Sequence, residues 1–263
     1  MNKNILMTAV MPHPPIIIPE VGQGKELKAQ KTIDGLQKLS QEIVDLNPET
    51  VIIITPHSEF NRHFFSVYSA SVLSGDFANF RAIQVKLEFE NDVDFIRELE
   101  FKIKEEFIRL NYISAKPLDH GSMVPLYYLS KAGYRGKIVV INYNMLDKGK
   151  HKLFGQFIAE TAEKLERKTV FIASGDLSHR LIPGAPAGYN PDAKDFDELI
   201  VSSIKTGDFE AITDISYEVR DIAGECGYNS IMVALGVIND KPDKNEVISY
   251  EGQFGVGYIV AKL

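Results

Sequence analysis

Short apolar runs rich in Val and Ile recur along the chain and alternate with longer stretches of helical periodicity. Three of these runs, VIIIT, KIVVI and TVFIA, occupy residues 51–55, 137–141 and 169–173. Continuous runs of this kind are typical of strands that are buried on both faces of a parallel sheet. Their alternation with helical segments predicts one α/β domain over residues 1–263, with a central, mostly parallel mixed sheet covered by helices on both faces.

Weaker patterns complete the predicted order of elements. Alternating apolar and polar residues at 65–69 and 83–89 are typical of half-exposed strands. Further strands are predicted at 5–11, 247–250 and 255–261, and helices at 25–46, 92–110, 121–132, 150–166, 195–206 and 227–238. The apolar face of the first helix is predicted to consist of Leu27, Ile33, Leu36, Leu39, Ile43 and Leu46.

Composition excludes several classes of protein. The net charge of −7 argues against a dedicated nucleic-acid binder, which needs a surface enriched in Lys and Arg. A single cysteine, Cys226, excludes an internal disulfide and zinc sites built from several cysteines. Because the apolar runs are shorter than the ~18 residues that span a bilayer, no membrane association is expected. These features together predict a cytoplasmic protein.

Four of the six histidines lie where the predicted elements begin or end. His13 and His57 each follow a strand by two residues, and His179 follows the strand at 169–173 by six. His120 lies at the start of a helix. Ligands of open α/β sheets bind beyond the carboxyl ends of the parallel strands, so these four side chains are predicted to share one site.

The other two histidines are assigned no functional role. His63 is isolated in its segment, and an isolated loop histidine is more often hydrated or bonded to the backbone than a ligand. His151 lies in the charged run KGKHK and is predicted to face solvent at the start of a helix.

Two neighbouring imidazoles can ligate a metal ion, but a redox-active iron also needs an anionic ligand. Fe(II) that holds O2 and a substrate commonly uses two histidines and one carboxylate on one face. His13 and His57 supply the imidazoles in this interpretation. Glu225, flanked by Gly224 and Gly227, is the candidate carboxylate. Spacing alone equally allows Glu225 to be an ordinary acid at a helix N-terminus.

The motifs MPHPP, TPHSEF, LDHGSMVPL, SGDLSH and GECGYNS occur in this order between the N-terminus and residue 230. The ordered set resembles the class III extradiol ring-cleavage dioxygenase catalytic-subunit (LigB-like) superfamily. Within it, the chain looks most similar to the dioxygenase-like proteins of the AmmeMemoRadiSam system, which are related to Memo. Each motif alone is weak, but the set is specific for the superfamily.

The resemblance implies a function and a role for each residue. It implies an oxidoreductase in which His13, His57 and Glu225 ligate Fe(II), and which cleaves a catechol-like aromatic diol with O2. It further implies that His179 is the acid or base beside the substrate and that His120 contacts bound substrate or oxygen. From its spacing we expect Asp176 to be the hydrogen-bond partner of a ring nitrogen.

Cys226 directly follows Glu225 and keeps other interpretations open. Memo-like relatives carry a cysteine at about this point, and neighbouring side chains rarely face one centre, so Cys226 is the alternative ligand. A thiolate ligand would favour copper or zinc over iron. The alternatives are therefore a Memo-like metal-binding or peptide-binding protein and a zinc-dependent hydrolase on the same scaffold. A homo-oligomer or a partner subunit is also compatible with the sequence.

The longest irregular segment, residues 180–191, carries three Pro and two Gly. A loop of this length commonly serves as a flap beside a functional site. We therefore predict that it closes over the substrate, with Arg180 or Tyr189 offering contacts.

Overall fold

The structure is a computed structural model that describes residues 2–59, 61–106, 108–241 and 245–263. The strands are β1 (Ile5–Met11), β2 (Thr50–Thr55), β3 (Phe65–Tyr68), β4 (Val72–Phe77), β5 (Ala82–Glu90), β6 (Leu110–Ile113), β7 (Lys137–Asn142), β8 (Thr169–Ser174), β9 (Glu246–Glu251) and β10 (Tyr258–Lys262). The helices are α1 (Pro19–Gly22), α2 (Gln30–Asp45), α3 (Val93–Ile103), α4 (His120–Ala132), α5 (Lys148–Lys164), α6 (Ala193–Thr206), α7 (Phe209–Thr213), α8 (Tyr217–Ala223) and α9 (Tyr228–Val237).

The main sheet has the strand order β6-β3-β7-β2-β8-β1-β10-β9. Strands β7, β2, β8 and β1 run parallel to one another and form its centre. Strand β3 is antiparallel to β7 at one side, and β10 is antiparallel to both β1 and β9 at the other. Strands β4 and β5 form a separate antiparallel hairpin. This topology confirms the predicted mostly parallel mixed sheet.

Alternate residues of the central strands face two different hydrophobic cores. Ile52 and Ile54 of β2 lie in one core with residues of α3, α5, α6 and α9. Val51 and Ile53 lie in the other core with residues of α2, α4 and the hairpin. Both faces are thus covered by helices, as predicted, which explains why the strand has no polar face.

Several predicted boundaries were wrong. Residues 65–69 were expected to be half-exposed, but β3 is buried along its whole length because Phe65 and Val67 pack in one hydrophobic core and Tyr68 packs in the other. The helix predicted over 92–110 ends at Ile103, and Leu110–Ile113 instead forms the edge strand β6. The predicted first helix begins only at Gln30, so Leu27 is 64% exposed.

His151 was predicted to face solvent, and this was also wrong. Its ring is fully buried on the sheet side of α5, 5.4 Å from the ring of Phe65. Nδ1 of His151 lies 2.9 Å from the carbonyl oxygen of Asp147, which accepts its hydrogen bond. The charged run misled the prediction because its flanking lysines project outward while the histidine between them faces the sheet.

A cavity of about 830 Å³ opens at the amino ends of the parallel strands, away from the predicted site. It is lined by the start of β1 and by the carboxyl ends of α2, α5 and α9. Of the helices that the structure describes, none combines the length and the apolar character that crossing a membrane requires.

Candidate metal centre

Strands β2, β8 and β1 are neighbours in the sheet and end at the same edge. The residues that follow them, together with the first turn of α4, form one cluster of imidazoles. Nε2 of His13 lies 3.0 Å from Nε2 of His57, and the ring of His57 stacks on that of His120 at 4.2 Å. Nε2 of His179 lies 4.0 Å from Sγ of Cys226, which itself lies 3.6 Å from Nε2 of His13.

His13 is the most buried member of the cluster, with 1% of its surface exposed. Its backbone N–H donates to Oδ1 of Asp176 over 3.0 Å. Its Nδ1 lies 2.9 Å from Oγ of Ser174, the last residue of β8. Ser174 ends the strand beside β1 and Asp176 follows it by two residues, so the position of His13 is fixed by the end of β8.

A single carboxylate organises the opposite side of the cluster. Asp119 caps α4 by accepting from the backbone N–H of Ser122 over 3.2 Å. It also accepts from the hydroxyl of Thr55 over 2.9 Å, and Thr55 in turn accepts from the backbone N–H of His57 over 3.3 Å. This network couples the turn that carries His57 to the helix that begins at His120. Its signal in the sequence is a polar Thr at the end of an apolar strand.

Glu225 and Cys226 point in different directions. The carboxylate of Glu225 accepts from Nε of Arg220 over 2.8 Å and from the backbone N–H of Tyr228 over 2.6 Å. It therefore lies at the N-terminus of α9, as an ordinary helix-terminal acid would, and its two oxygens face Arg220 and Tyr228 rather than the two imidazoles. The ligand atoms of His13, His57 and Cys226, by contrast, all lie within 4.8 Å of one another.

Two glycines determine how the Cys226 segment meets the end of β8. A Cβ atom on Gly175 would overlap the backbone of Gly227, so the two segments pass in direct contact. At this contact the backbone N–H of Asp176 lies 3.3 Å from Sγ of Cys226. The hydroxyl of Tyr143 donates to the carbonyl oxygen of Cys226 over 2.9 Å. The thiol is thereby held at the edge of the imidazole cluster.

Asp176 lies between two histidines. Its Oδ2 is 3.9 Å from Nε2 of His179 and 4.0 Å from Nε2 of His13. Nδ1 of His179 donates to the carbonyl oxygen of Gly224 over 2.5 Å. Burial alone would lower the pKa of His179, but the nearby Asp176 carboxylate and the hydrogen bond to Gly224 outweigh burial and raise that pKa above 6.5.

The other three imidazoles are held neutral near pH 7. Burial lowers the pKa of His13 and of His120. His57 is exposed, yet partial desolvation by the surrounding cluster, followed by the neighbouring His13 and His120, lowers its pKa to about 3. Burial, followed by the charge of Asp176, raises the pKa of the Cys226 thiol well above its usual value. The cluster thus offers neutral nitrogen lone pairs and one thiol.

These donors fit a metal cation. Bond lengths of about 2.1 Å to nitrogen and 2.3 Å to sulfur in a tetrahedral site place two nitrogens roughly 3.4 Å apart, and nitrogen and sulfur roughly 3.6 Å apart. The structure has 3.0 Å between the Nε2 atoms of His13 and His57, and 3.6 Å from His13 Nε2 to Cys226 Sγ. The third pair, Nε2 of His57 and Sγ of Cys226, lies within 4.8 Å, so seating an ion would require these side chains to adjust around it. Binding would also require that the thiol lose its proton.

The loop 180–191 is tied to the segment that carries His179. The backbone N–H of Ala187 donates to the carbonyl oxygen of His179 over 3.3 Å, and that of Asn190 donates to the carbonyl oxygen of Arg180 over 3.1 Å. The guanidinium of Arg180 donates to the carbonyl oxygen of Asp221 over 3.0 Å. Tyr189 is 53% exposed. Arg180 is therefore engaged in holding the loop, whereas Tyr189 faces outward.

The chain matches the family model described as the catalytic LigB subunit of aromatic ring-opening dioxygenase over residues 7–261. It is 39% identical over 267 aligned residues to protein CA_C1420 of Clostridium acetobutylicum. This alignment covers 97% of this chain but only 56% of that longer protein. It is 25% identical to 3,4-dihydroxyphenylacetate 2,3-dioxygenase of Escherichia coli, covering 92% of this chain and 93% of that protein.

Among solved structures, an uncharacterized protein, JW3007 from Escherichia coli K12, has a similar fold. The TM-score is 0.57 at 14% sequence identity, and the alignment covers 98% of this chain and 99% of that one. This likeness concerns the fold alone, because sequence identity at this level does not carry function.

Proposed function

The chain belongs to the family of catalytic LigB subunits of aromatic ring-opening dioxygenases, and on that premise we propose that it is a metal-dependent oxidoreductase that acts on a catechol-like diol with O2. One observation carries this proposal. Two neutral imidazoles, those of His13 and His57, lie beside a third, that of His179, whose pKa is raised. This arrangement separates metal ligands from a proton carrier, as an oxidation of a diol on a metal requires.

We propose His13, His57 and Cys226 as the metal ligands, and we assign Glu225 a supporting role. Support for this set comes from the mutual distances of the three donor atoms. Both oxygens of Glu225 are engaged, by Arg220 and by the start of α9. The proposal therefore departs from the ligand set that the family resemblance implies.

When bound, the metal would supply the site at which the diol and O2 meet and exchange electrons. The chain's own residues handle the protons and the orientation. His179, anchored at Nδ1 by Gly224, presents Nε2 to the cluster and can accept a proton from the diol and later return it. His120, stacked on His57 and 5.5 Å from the ring of Phe80, offers the substrate an aromatic wall.

A second candidate function rests on the thiol. A soft thiolate beside two imidazoles favours copper or zinc over the Fe(II) that the family resemblance implies. With zinc or copper at this centre, the protein would be a Memo-like metal-binding protein or a zinc-dependent hydrolase. The position of Cys226 beside His13 and the engagement of Glu225 are the observations that favour it.

One experiment separates the two candidates. The protein is purified anaerobically, its iron, copper and zinc are quantified per chain, and O2 uptake is measured with a panel of catechols. Stoichiometric iron together with substrate-dependent O2 uptake would support the oxidoreductase. Stoichiometric zinc or copper without O2 uptake would refute it and favour the second candidate.

A pair of neighbouring substitutions tests the ligand set. We expect Cys226→Ser to lose most of its metal, because the thiolate is the anionic donor. Glu225→Gln should keep its metal and lose only about 1–3 kcal/mol of stability, because a charged pair with Arg220 becomes a neutral contact. Metal retention by Cys226→Ser and metal loss by Glu225→Gln would reverse the assignment.

We also propose a cytoplasmic location and small molecules as the protein's partners. A cytoplasmic location suits the single cysteine, which would remain a free thiol there. The net charge of −7 makes nucleic acid an unsuitable partner. Fractionation of cells that express the untagged protein would test the location.

A further inference from the structure

We propose that Ser174 is a positioning residue that fixes the tautomer of His13 and joins it to the helix that carries His120. The proposal rests on the proposed metal function of the cluster. Ser174 is fully buried at the end of β8, and its hydroxyl lies between two groups. It is 2.5 Å from the carbonyl oxygen of Gly121 and 2.9 Å from Nδ1 of His13.

Counting hydrogens determines the direction of both bonds. A carbonyl oxygen can only accept, so the single hydroxyl hydrogen of Ser174 is donated to Gly121. The hydroxyl oxygen can then only accept from His13, so Nδ1 of His13 carries the hydrogen. In a neutral imidazole the other nitrogen, Nε2, is left with its lone pair. That nitrogen faces His57 and Cys226, where a metal would lie.

The position of Ser174 makes this bond rigid. Ser174 in β8 pairs with Met11 in β1, and Met11 lies two residues before His13. The backbone N–H of Gly175 donates to the carbonyl oxygen of Met11. Gly121 is the second residue of α4 and directly follows His120. One hydroxyl thus connects the two parallel strands with the helix at the edge of the site.

A purely structural serine would affect stability alone, whereas a tautomer-fixing serine also affects metal affinity. Without the hydroxyl, Nδ1 of His13 would lose its acceptor in a buried site, where an unpaired donor is costly. The proton would then be free to occupy Nε2 and block that nitrogen. Removing such a partner of a ligating histidine typically weakens metal binding 10–100-fold.

The test compares Ser174→Ala with Ser230→Ala in the full chain. Ser230 is a matched control, because it is also fully buried and its hydroxyl donates to the backbone carbonyl of Ser174 over 2.9 Å without contacting His13. Zinc affinity is measured by chelator competition. The tautomer of His13 in metal-free protein is read from its ¹⁵N chemical shifts, assigned with a His13→Gln variant.

We expect the wild-type protein to show the Nδ1–H tautomer at His13 and Ser174→Ala to lose it. Zinc affinity should fall about 10–100-fold in Ser174→Ala and less than about threefold in Ser230→Ala. A wild-type His13 protonated at Nε2, or equal losses of affinity in the two variants, would overturn the proposal. If no variant, nor the wild type, binds metal, the proposed function fails while the tautomer measurement still decides the role of Ser174.

Discussion

The two ends of the central parallel strands differ in how their polar side chains are paired. At the amino end, the fully buried carboxylate of Asp92 accepts from the hydroxyl of Thr50 over 2.5 Å and pairs with Arg167 at 3.0 Å. At the carboxyl end, Nε2 of His13 and Nε2 of His57 face each other at 3.0 Å. The Asp92 cluster is complete in itself, whereas the imidazole pair presents lone pairs that a cation would satisfy.

The comparison also separates the cavity from the proposed metal centre. The cavity of about 830 Å³ lies at the amino end, where its lining includes Lys262, which pairs with Glu42 at 2.9 Å. The imidazole cluster lies at the other end. The proposed centre therefore rests on the uncompensated donors and on the ends of the strands rather than on empty volume.

The largest effect is expected from removing a proposed metal ligand at the carboxyl end. His13→Ala is expected to lose stoichiometric metal, because the most buried nitrogen donor of the set is gone. Metal per chain and zinc affinity measure the loss, with the exposed His63→Ala as the control. Normal metal content in His13→Ala would show that the centre lies elsewhere.

Removing the proton carrier should separate binding from turnover at the same end. We expect His179→Gln to keep its metal and to lose turnover by about 10³-fold, within the range typical of general acid–base residues. O2 uptake is compared with that of the wild type on whichever catechol it consumes. Parallel loss of metal would make His179 a ligand rather than an acid or base.

At the amino end, the expected loss is one of stability alone. Asp92→Ala should lower the free energy of unfolding by about 3 kcal/mol, because Arg167 would be left without its buried partner. Urea denaturation measures the loss. Zinc affinity of the folded variant should equal that of the wild type, and a clear decrease would mean that the two ends are coupled.

A smaller effect concerns the buried acid beneath the His179 segment. Asp197 accepts from the backbone N–H of Ser178 over 2.8 Å and from the hydroxyl of Tyr250 over 2.7 Å. Burial raises the pKa of Asp197 from 3.8 to about 7, although these two hydrogen bonds oppose the rise. Between these values the folded state holds the extra proton, so this group's contribution to stability falls as pH rises.

Asp197→Asn removes that dependence. Between pH 4 and 7 the wild type is therefore expected to lose stability relative to Asp197→Asn, by at most about 1.4 kcal/mol per pH unit. Urea denaturation of both proteins at pH 5, 6 and 7 provides the measurement. If the free energies of unfolding of the two proteins changed in parallel with pH, Asp197 would be ionised throughout this range and its burial would not reduce stability as pH rises.

The central sheet could be predicted because strands buried on both faces consist of continuous runs of Val and Ile. The runs of β2, β7 and β8 each lie where the sequence places them. Strand β6 could not be predicted, since LNYI is short and is defined by pairing with β3, a neighbour distant in sequence. The same holds for Leu27, whose exposure depends on where α2 begins.

The location of the site could be inferred from the sequence, but not its donor atoms. Strand ends place His13, His57 and His179 at one edge whatever their side-chain contacts. The choice between Glu225 and Cys226 depends on contacts made after the chain has folded. Arg220 engages the first side chain, and the tight passage at Gly175 orients the second.

The contact between Gly175 and Gly227 determines how long the side chain at position 226 can be if it is to act as the third proposed donor. It brings the backbone so close to the histidines that Sγ, one bond beyond Cβ, already lies 3.6 Å from Nε2 of His13. The carboxylate oxygens of glutamate lie three bonds beyond Cβ and would overshoot, whereas those of aspartate lie only two. Among substitutions that replace the soft sulfur donor with a hard oxygen donor, Cys226→Asp therefore changes the reach of the side chain least. The close contact between Gly175 and Gly227 sets this limit on length.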